Sequence, residues 1–183
     1  MKPVYIRKTL IFLLVLCSGT LGITLDADSQ PLRTLRRVSL QTFHGKCIHV
    51  KGGSSEEWRQ NRQPLWTWGC QNSDEFLFSF IPVRDGYYTI KTFHGKCIHV
   101  KGGSSEEWRQ NRQPLWTWGC QNSDEFLFKL ESAGSNYYTI KTFHGKCIHV
   151  QGSNSDDWQR DRQPLLTWDC QDSDEFLFRL VQK

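Results

Sequence analysis

Apolar positions in this chain come in short bursts separated by polar stretches, and the bursts recur. Tyr87-Tyr88-Thr89-Ile90-Lys91-Thr92-Phe93 is rich in aromatic and β-branched residues, and His94-Gly95 divides it from Lys96-Cys97-Ile98-His99-Val100. Two such runs across a glycine-containing turn predict a β-hairpin. Lys101-Gly102-Gly103-Ser104-Ser105 reads as a loop, and in the polar stretch beyond it only residues 106–110 suggest a helical turn. Residues 114–120 predict a third strand and residues 125–130 a fourth.

The same pattern is written three times. Residues 42–78 reappear unchanged at 92–128, and a diverged third copy occupies 142–178, giving a period of 50 residues. A unit of this size is too small to bury a sizeable core alone, so the copies must share a core or lean on disulfides. Four short strands in each of three units predict an all-β domain, and a closed threefold arrangement hides the edge strands around a common core. That arrangement is a β-trefoil, with repeats at about 38–85, 86–135 and 136–183. A propeller is disfavoured, because three blades are fewer than the usual four to eight.

The N-terminal 22 residues read as a secretory signal. An apolar run at 10–16 follows Lys2, Arg7 and Lys8 and precedes Ser18, Gly19 and Gly22, which places cleavage after Gly22. The run is too short to span a bilayer. Its removal takes three basic residues and lowers the formal charge from +4 to about +1, which argues against nucleic acid or membrane insertion. It also removes Cys17, leaving Cys47, Cys70, Cys97, Cys120, Cys147 and Cys170 at one constant spacing. In a secreted chain that spacing predicts a disulfide framework, most simply one bond inside each repeat, rather than a zinc site. Each closed loop contributes roughly 3 kcal/mol in the chain-entropy description. Residues 23–37 read either as a propeptide cut at Arg36-Arg37 or as a disordered leader that stays attached.

Gly45-Lys46-Cys47-Ile48-His49-Val50, then a loop, then Leu65-Trp66-Thr67-Trp68-Gly69-Cys70, then Phe76-Leu77-Phe78 resembles the ricin-type β-trefoil lectin repeat. The resemblance covers residues 38–183. It implies a trefoil fold, cysteines bonded within each repeat, and sugar binding. The family's acidic residue, which accepts hydrogen bonds from two sugar hydroxyls, is replaced by His49, His99 and His149. A neutral imidazole has one acceptor nitrogen where a carboxylate has two oxygens, so the resemblance does not imply galactose binding in the ricin manner. Phe76 and Phe78 stand at or near the family's closing glutamine and tryptophan, where Phe fills the same core space. The sequence is also similar to the cysteine-rich domain of mannose-receptor-like proteins, which lacks that acidic residue. This similarity implies anionic or sulfated glycans, with the imidazoles and Arg62, Arg112 and Arg162 as candidate donors.

By the same resemblance Trp68, Trp118 and Trp168 match the ring that stacks under a sugar, the alternative being a place in the core. Trp66 and Trp116 become Leu166 in the third copy, whereas Trp168 is kept. Glu75, Glu125 and Glu175 are candidate hydroxyl acceptors. Trp58, Trp108 and Trp158 lie in the long polar loop, either as lids over a site or as plugs that pin the loop down. The leading expectation is a secreted, non-catalytic, multivalent lectin for glycans or glycoproteins, with no cofactor or metal. The alternatives are a protein-binding trefoil, such as a secreted ligand or protease inhibitor, and a trefoil that has lost its sugar sites. An enzyme is disfavoured because the sequence offers no nucleophile, metal or phosphate-loop constellation.

Overall fold

The computed structural model describes residues 33–183. The expected signal, its cleavage after Gly22, Cys17 and most of the expected leader lie outside the described residues.

Twelve strands build the domain, four from each repeat. The first repeat supplies β1 (Leu35–Thr42), β2 (Cys47–Val50), β3 (Leu65–Trp68) and β4 (Leu77–Pro82). The second supplies β5 (Tyr87–Thr92), β6 (Cys97–Val100), β7 (Leu115–Trp118) and β8 (Leu127–Gly134). The third supplies β9 (Tyr137–Thr142), β10 (Cys147–Val150), β11 (Leu165–Trp168) and β12 (Phe178–Gln182). All pairings are antiparallel. Strands β1, β4, β5, β8, β9 and β12 pair in that order, and β12 pairs back to β1, which closes a ring. Closure leaves none of these six strands with a free edge. The hairpins β2–β3, β6–β7 and β10–β11 stand beside the ring, one per repeat. The architecture is the expected β-trefoil.

Burial explains why the short strands persist. Ile48, Val50, Leu65 and Phe78, with their counterparts in the other repeats, point into one shared core. Phe76, Phe78, Phe126, Phe128, Phe176 and Phe178 are almost wholly buried, so the phenylalanines at the closing motif do fill core space. Fully burying such a side chain stabilises by roughly 1.5–3 kcal/mol. The three disulfides form inside the repeats as expected, Cys47 to Cys70, Cys97 to Cys120 and Cys147 to Cys170. They indicate an oxidising environment.

Three boundaries differ from the sequence reading. The domain begins at Leu35 rather than Val38: Leu35 pairs with Phe80 and packs on the core, while a bulge before Val38 turns Arg36 and Arg37 outward. Arg36 and Arg37 therefore belong to the sheet, and their carbonyls accept hydrogen bonds from the Gln182 side chain and the Lys183 N–H. The expected fourth strand starts two residues late, because Asp124–Phe126 forms a 3-10 turn. The helical turn of the polar stretch is a short helix, Ser105–Trp108, whose preceding Ser104 side chain accepts from the Glu107 N–H.

Candidate glycan-binding clefts

Each hairpin of the β2–β3 type turns alternate residues to opposite sides. In β3, Leu65 and Thr67 are buried while Trp66 and Trp68 are half-exposed on the outer side. His49 lies directly opposite Trp66 across the hairpin, and Cys47 opposite Trp68. The His49 ring stacks on Phe76 at 5.2 Å and meets the edge of Trp68 at 5.7 Å. The same arrangement recurs for His99 with Phe126 and Trp118, and for His149 with Phe176 and Trp168.

Around these rings open three clefts of related shape. Cleft 1, of about 550 Å³, is lined by His49, Trp66, Trp68, Glu75 and Lys51, with Arg162 from the third repeat. Cleft 2, of about 530 Å³, has His99, Trp116, Trp118, Glu125 and Lys101, with Arg62 from the first repeat. Cleft 3, of about 680 Å³, has His149, Leu166, Trp168, Glu175 and Gln151, with Arg112 from the second repeat. The structure thus gathers the sequence-derived candidates into three sites and places none of the Trp68-type rings in the core.

Sequence reasoning did not reveal that each cleft is completed across a seam between repeats. The anchor is threonine. Thr67, Thr117 and Thr167 are fully buried. Thr67 receives the Arg162 N–H on its carbonyl at 2.7 Å and gives its own N–H to the Gln163 carbonyl at 2.9 Å. Its hydroxyl donates to the Arg160 carbonyl at 2.8 Å and accepts from the Gln163 N–H at 3.0 Å. Thr117 and Thr167 make the equivalent contacts to residues 60–63 and 110–113. The lock holds Arg62, Arg112 and Arg162 at φ values of 67°, 67° and 65°. A non-glycine residue there is strained by about 1–3 kcal/mol. The guanidinium of each arginine comes to rest 5.3–5.4 Å from the neighbouring repeat's indole, Arg162 over Trp68, Arg62 over Trp118 and Arg112 over Trp168.

Burial pushes the His49, His99 and His149 imidazoles below the ordinary histidine value, against opposing pulls from a backbone hydrogen bond and a nearby glutamate. They are neutral at neutral pH, and the Nε2 atom of each is buried without a hydrogen-bond partner. Glu75 and Glu125 each accept a hydrogen bond from the serine two residues before, while Oε2 of Glu125 and Glu175 is also buried and unpartnered. Nε2 of His44, His94 and His144 and Nε1 of Trp58, Trp108 and Trp158, which do not line the clefts, are buried and unpartnered in the same way.

Trp58, Trp108 and Trp158 serve a different end. They pack against the core and stack on His94, His144 and His44 of the next repeat at 5.1–5.2 Å, which makes them plugs and seam fasteners rather than lids. Gly52 and Gly102 (φ 149° and 151°) allow this, since an added Cβ meets the indole at 2.8 and 2.7 Å.

The profile of the ricin-type beta-trefoil lectin domain-like family matches residues 36–107 and 82–168. The chain belongs to that family. No curated protein matches it in sequence. Among solved structures it is similar to ThreeFoil, a designed threefold-symmetric protein, with a TM-score of 0.69 at 20% identity over 80% of this chain and 98% of that one. It is similar to an exo-beta-1,3-galactanase from Clostridium thermocellum, with a TM-score of 0.69 at 21% identity over 81% of this chain and 30% of that one. The hemolytic lectin CEL-III gives 0.60 at 18% identity over 82% of this chain and 30% of that one. The chain thus spans under a third of the galactanase and of CEL-III, and these likenesses establish the fold alone.

Proposed function

We propose that this protein is a secreted, non-catalytic, multivalent glycan-binding protein whose three clefts each hold a sugar. The observation that carries the reading is the set of groups meeting in cleft 2. A half-exposed indole, Trp118, lines one cleft with the His99 imidazole, the Glu125 carboxylate and the Arg62 guanidinium. A sugar suits this set, its C–H face lying on an aromatic ring and its hydroxyls serving as donors and acceptors. In this reading Glu125 accepts from one hydroxyl, and neutral His99 exchanges a hydrogen bond with another. Glu75 with His49 and Glu175 with His149 do the same in clefts 1 and 3. Shallow single-sugar sites bind weakly, and three on one rigid scaffold raise avidity by orders of magnitude toward a surface that presents sugars at matching spacing. Secretion is supported by the three disulfides and by the apolar run at residues 10–16.

The test is a broad glycan array probed with the mature, oxidised chain and with the Trp68→Ala/Trp118→Ala/Trp168→Ala variant. Specific binding by the first and none by the second, both folded by circular dichroism, is expected. A blank from the folded parent chain overturns the reading and directs the search to protein partners.

A further inference from the structure

Each cleft is flanked by a phenylalanine from the next repeat around the ring. Phe93, Phe143 and Phe43 lie in the turns that lead into β6, β10 and β2, and their N–H groups bond to the carbonyls of Leu77, Leu127 and Leu177 at 2.9 Å. Each of those leucines directly follows a 3-10 turn, and the glutamate of that turn lines cleft 1, 2 or 3. At cleft 2 one turn serves both sides. Glu125 lines the cleft, while the adjacent Asp124 pairs with Arg84 at 2.7 Å, whose guanidinium lies 5.6 Å from the centre of the Phe143 ring. The opposite wall is shared too. Gly102 lines cleft 2 with Trp108 packed against it, and His144, the residue after Phe143, stacks on Trp108 at 5.1 Å. Phe143 thus stands at the rim of cleft 2, and the repeat places Phe93 and Phe43 at the rims of clefts 1 and 3.

The turns are held without these rings. In the second repeat the Thr92 hydroxyl accepts from the Lys96 N–H and the Thr92 carbonyl from the Gly95 N–H, both at 3.1 Å, and Gly95 supplies the left-handed φ of 92°. Nor do the rings serve the core, since Phe93 is 47% and Phe43 41% exposed. A single exposed ring is ordinary. Here three recur beside three clefts, and each is broadened into a shelf by a neighbour: Tyr87 lies 5.3 Å from Phe143, Tyr137 5.3 Å from Phe43, and the Arg37 guanidinium 5.4 Å from Phe93. Inside the clefts the corresponding room is taken. Lys51 and Lys101 lie over the Trp66 and Trp116 rings at 4.7 and 4.8 Å, and cleft 3 has Leu166 in that place. A chain that starts on Trp68, Trp118 or Trp168 therefore meets its next open aromatic face outside the cleft, on the shelf.

Resting on the glycan reading above, we propose that the shelves of Phe93, Phe143 and Phe43 are second subsites, so that each site takes an oligosaccharide with one sugar in the cleft and the next laid by its C–H face on the phenylalanine. The probe is the best-binding glycan of the array above, titrated by calorimetry into the full mature chain as its terminal one-sugar and two-sugar fragments.

The two-sugar fragment is expected to bind roughly fivefold tighter than the one-sugar fragment, the gain of one added ring contact. Phe43→Leu/Phe93→Leu/Phe143→Leu, which keeps an apolar side chain but removes the flat face, is expected to abolish that gain without weakening the one-sugar fragment. Phe93→Leu alone, at the most exposed of the three, is expected to lose the gain at one site in three and serves if the triple variant does not fold by circular dichroism. Equal affinity of the two fragments, a gain that survives the leucine changes, or a weakened one-sugar fragment in the folded variants overturns this proposal while leaving the glycan reading standing. Absence of binding by every array glycan on a folded chain overturns both.

Discussion

Replacing Thr117 with Val tests whether the seams between repeats, which build the clefts, rest on the threonine lock. Valine is close to threonine in outline but replaces the hydroxyl of a fully buried side chain by a methyl group. What it loses is the hydroxyl that donates to the Gln60 carbonyl at 3.0 Å and accepts from the Gln63 N–H at 3.1 Å. The backbone bonds from the Arg62 N–H and to the Gln63 carbonyl remain. Each orphaned, partly buried backbone group costs about 1–3 kcal/mol, so the expected loss for the two is about 2–6 kcal/mol. That is a large share of the 5–15 kcal/mol typical of a domain. With a urea slope of about 2 kcal/mol/M, the unfolding midpoint should fall by roughly 1–3 M. Thr89→Val, at a half-buried strand position, is the control and should stay within about 0.5 kcal/mol. A Thr117→Val midpoint indistinguishable from the control would refute the lock.

Three further outcomes follow from the same structure. The folded state holds His49, His99 and His149 below the ordinary value of about 6.5, so the unfolded chain binds more protons in that window. Their stabilisation is complete above that value and is lost as pH falls through the folded values; the thermal midpoint should drop between pH 7.5 and 5.5, and a triple His→Gln variant should show a flatter profile. Gly102→Ala drives a Cβ to 2.7 Å from the Trp108 ring at φ 151°, and should cost about 1–3 kcal/mol and alter the fluorescence of that seam; an unchanged melt contradicts the plug assignment. Cys97→Ser/Cys120→Ser opens a loop of 23-residue separation and should lower stability by about 3 kcal/mol in denaturant titrations, with the other two disulfides intact by mass spectrometry.

The parts of the account visible in the sequence are those set within one repeat. Aromatic and β-branched runs such as that ending in Ile90-Lys91-Thr92 form strands as expected, although the expected hairpin of β5 with β6 closes through the single pair Lys91 with Cys97 while β5 takes its main partner in β4. The cysteines paired within units, and His49, Trp68 and Glu75 met because β2, β3 and the turn at Asp74–Phe76 are local neighbours. What escaped lies between repeats. Nothing in the pattern around Arg162 says that its side chain rests on Trp68, ninety-odd positions earlier, because that contact depends on ring closure. Thr67 reads as an ordinary strand threonine until its partners at 160–163 are seen. The start of β1 was missed because Arg36-Arg37 looks like a processing site; only the pairing of Leu35 with Phe80 shows the pair to be on a bulge of the barrel. Lys51 reads as the start of a loop, and its place over Trp66 is a product of the hairpin geometry.

The central claim, that the three seam-built clefts bind glycan, is tested most directly through the eight indole N–H signals in a proton–nitrogen correlation spectrum of the mature chain. Titration with a bound oligosaccharide should move the signals of Trp66, Trp68, Trp116, Trp118 and Trp168, which line the clefts, and leave those of Trp58, Trp108 and Trp158, which fasten the seams, in place. Saturable binding that leaves the five cleft indoles unmoved would contradict the account.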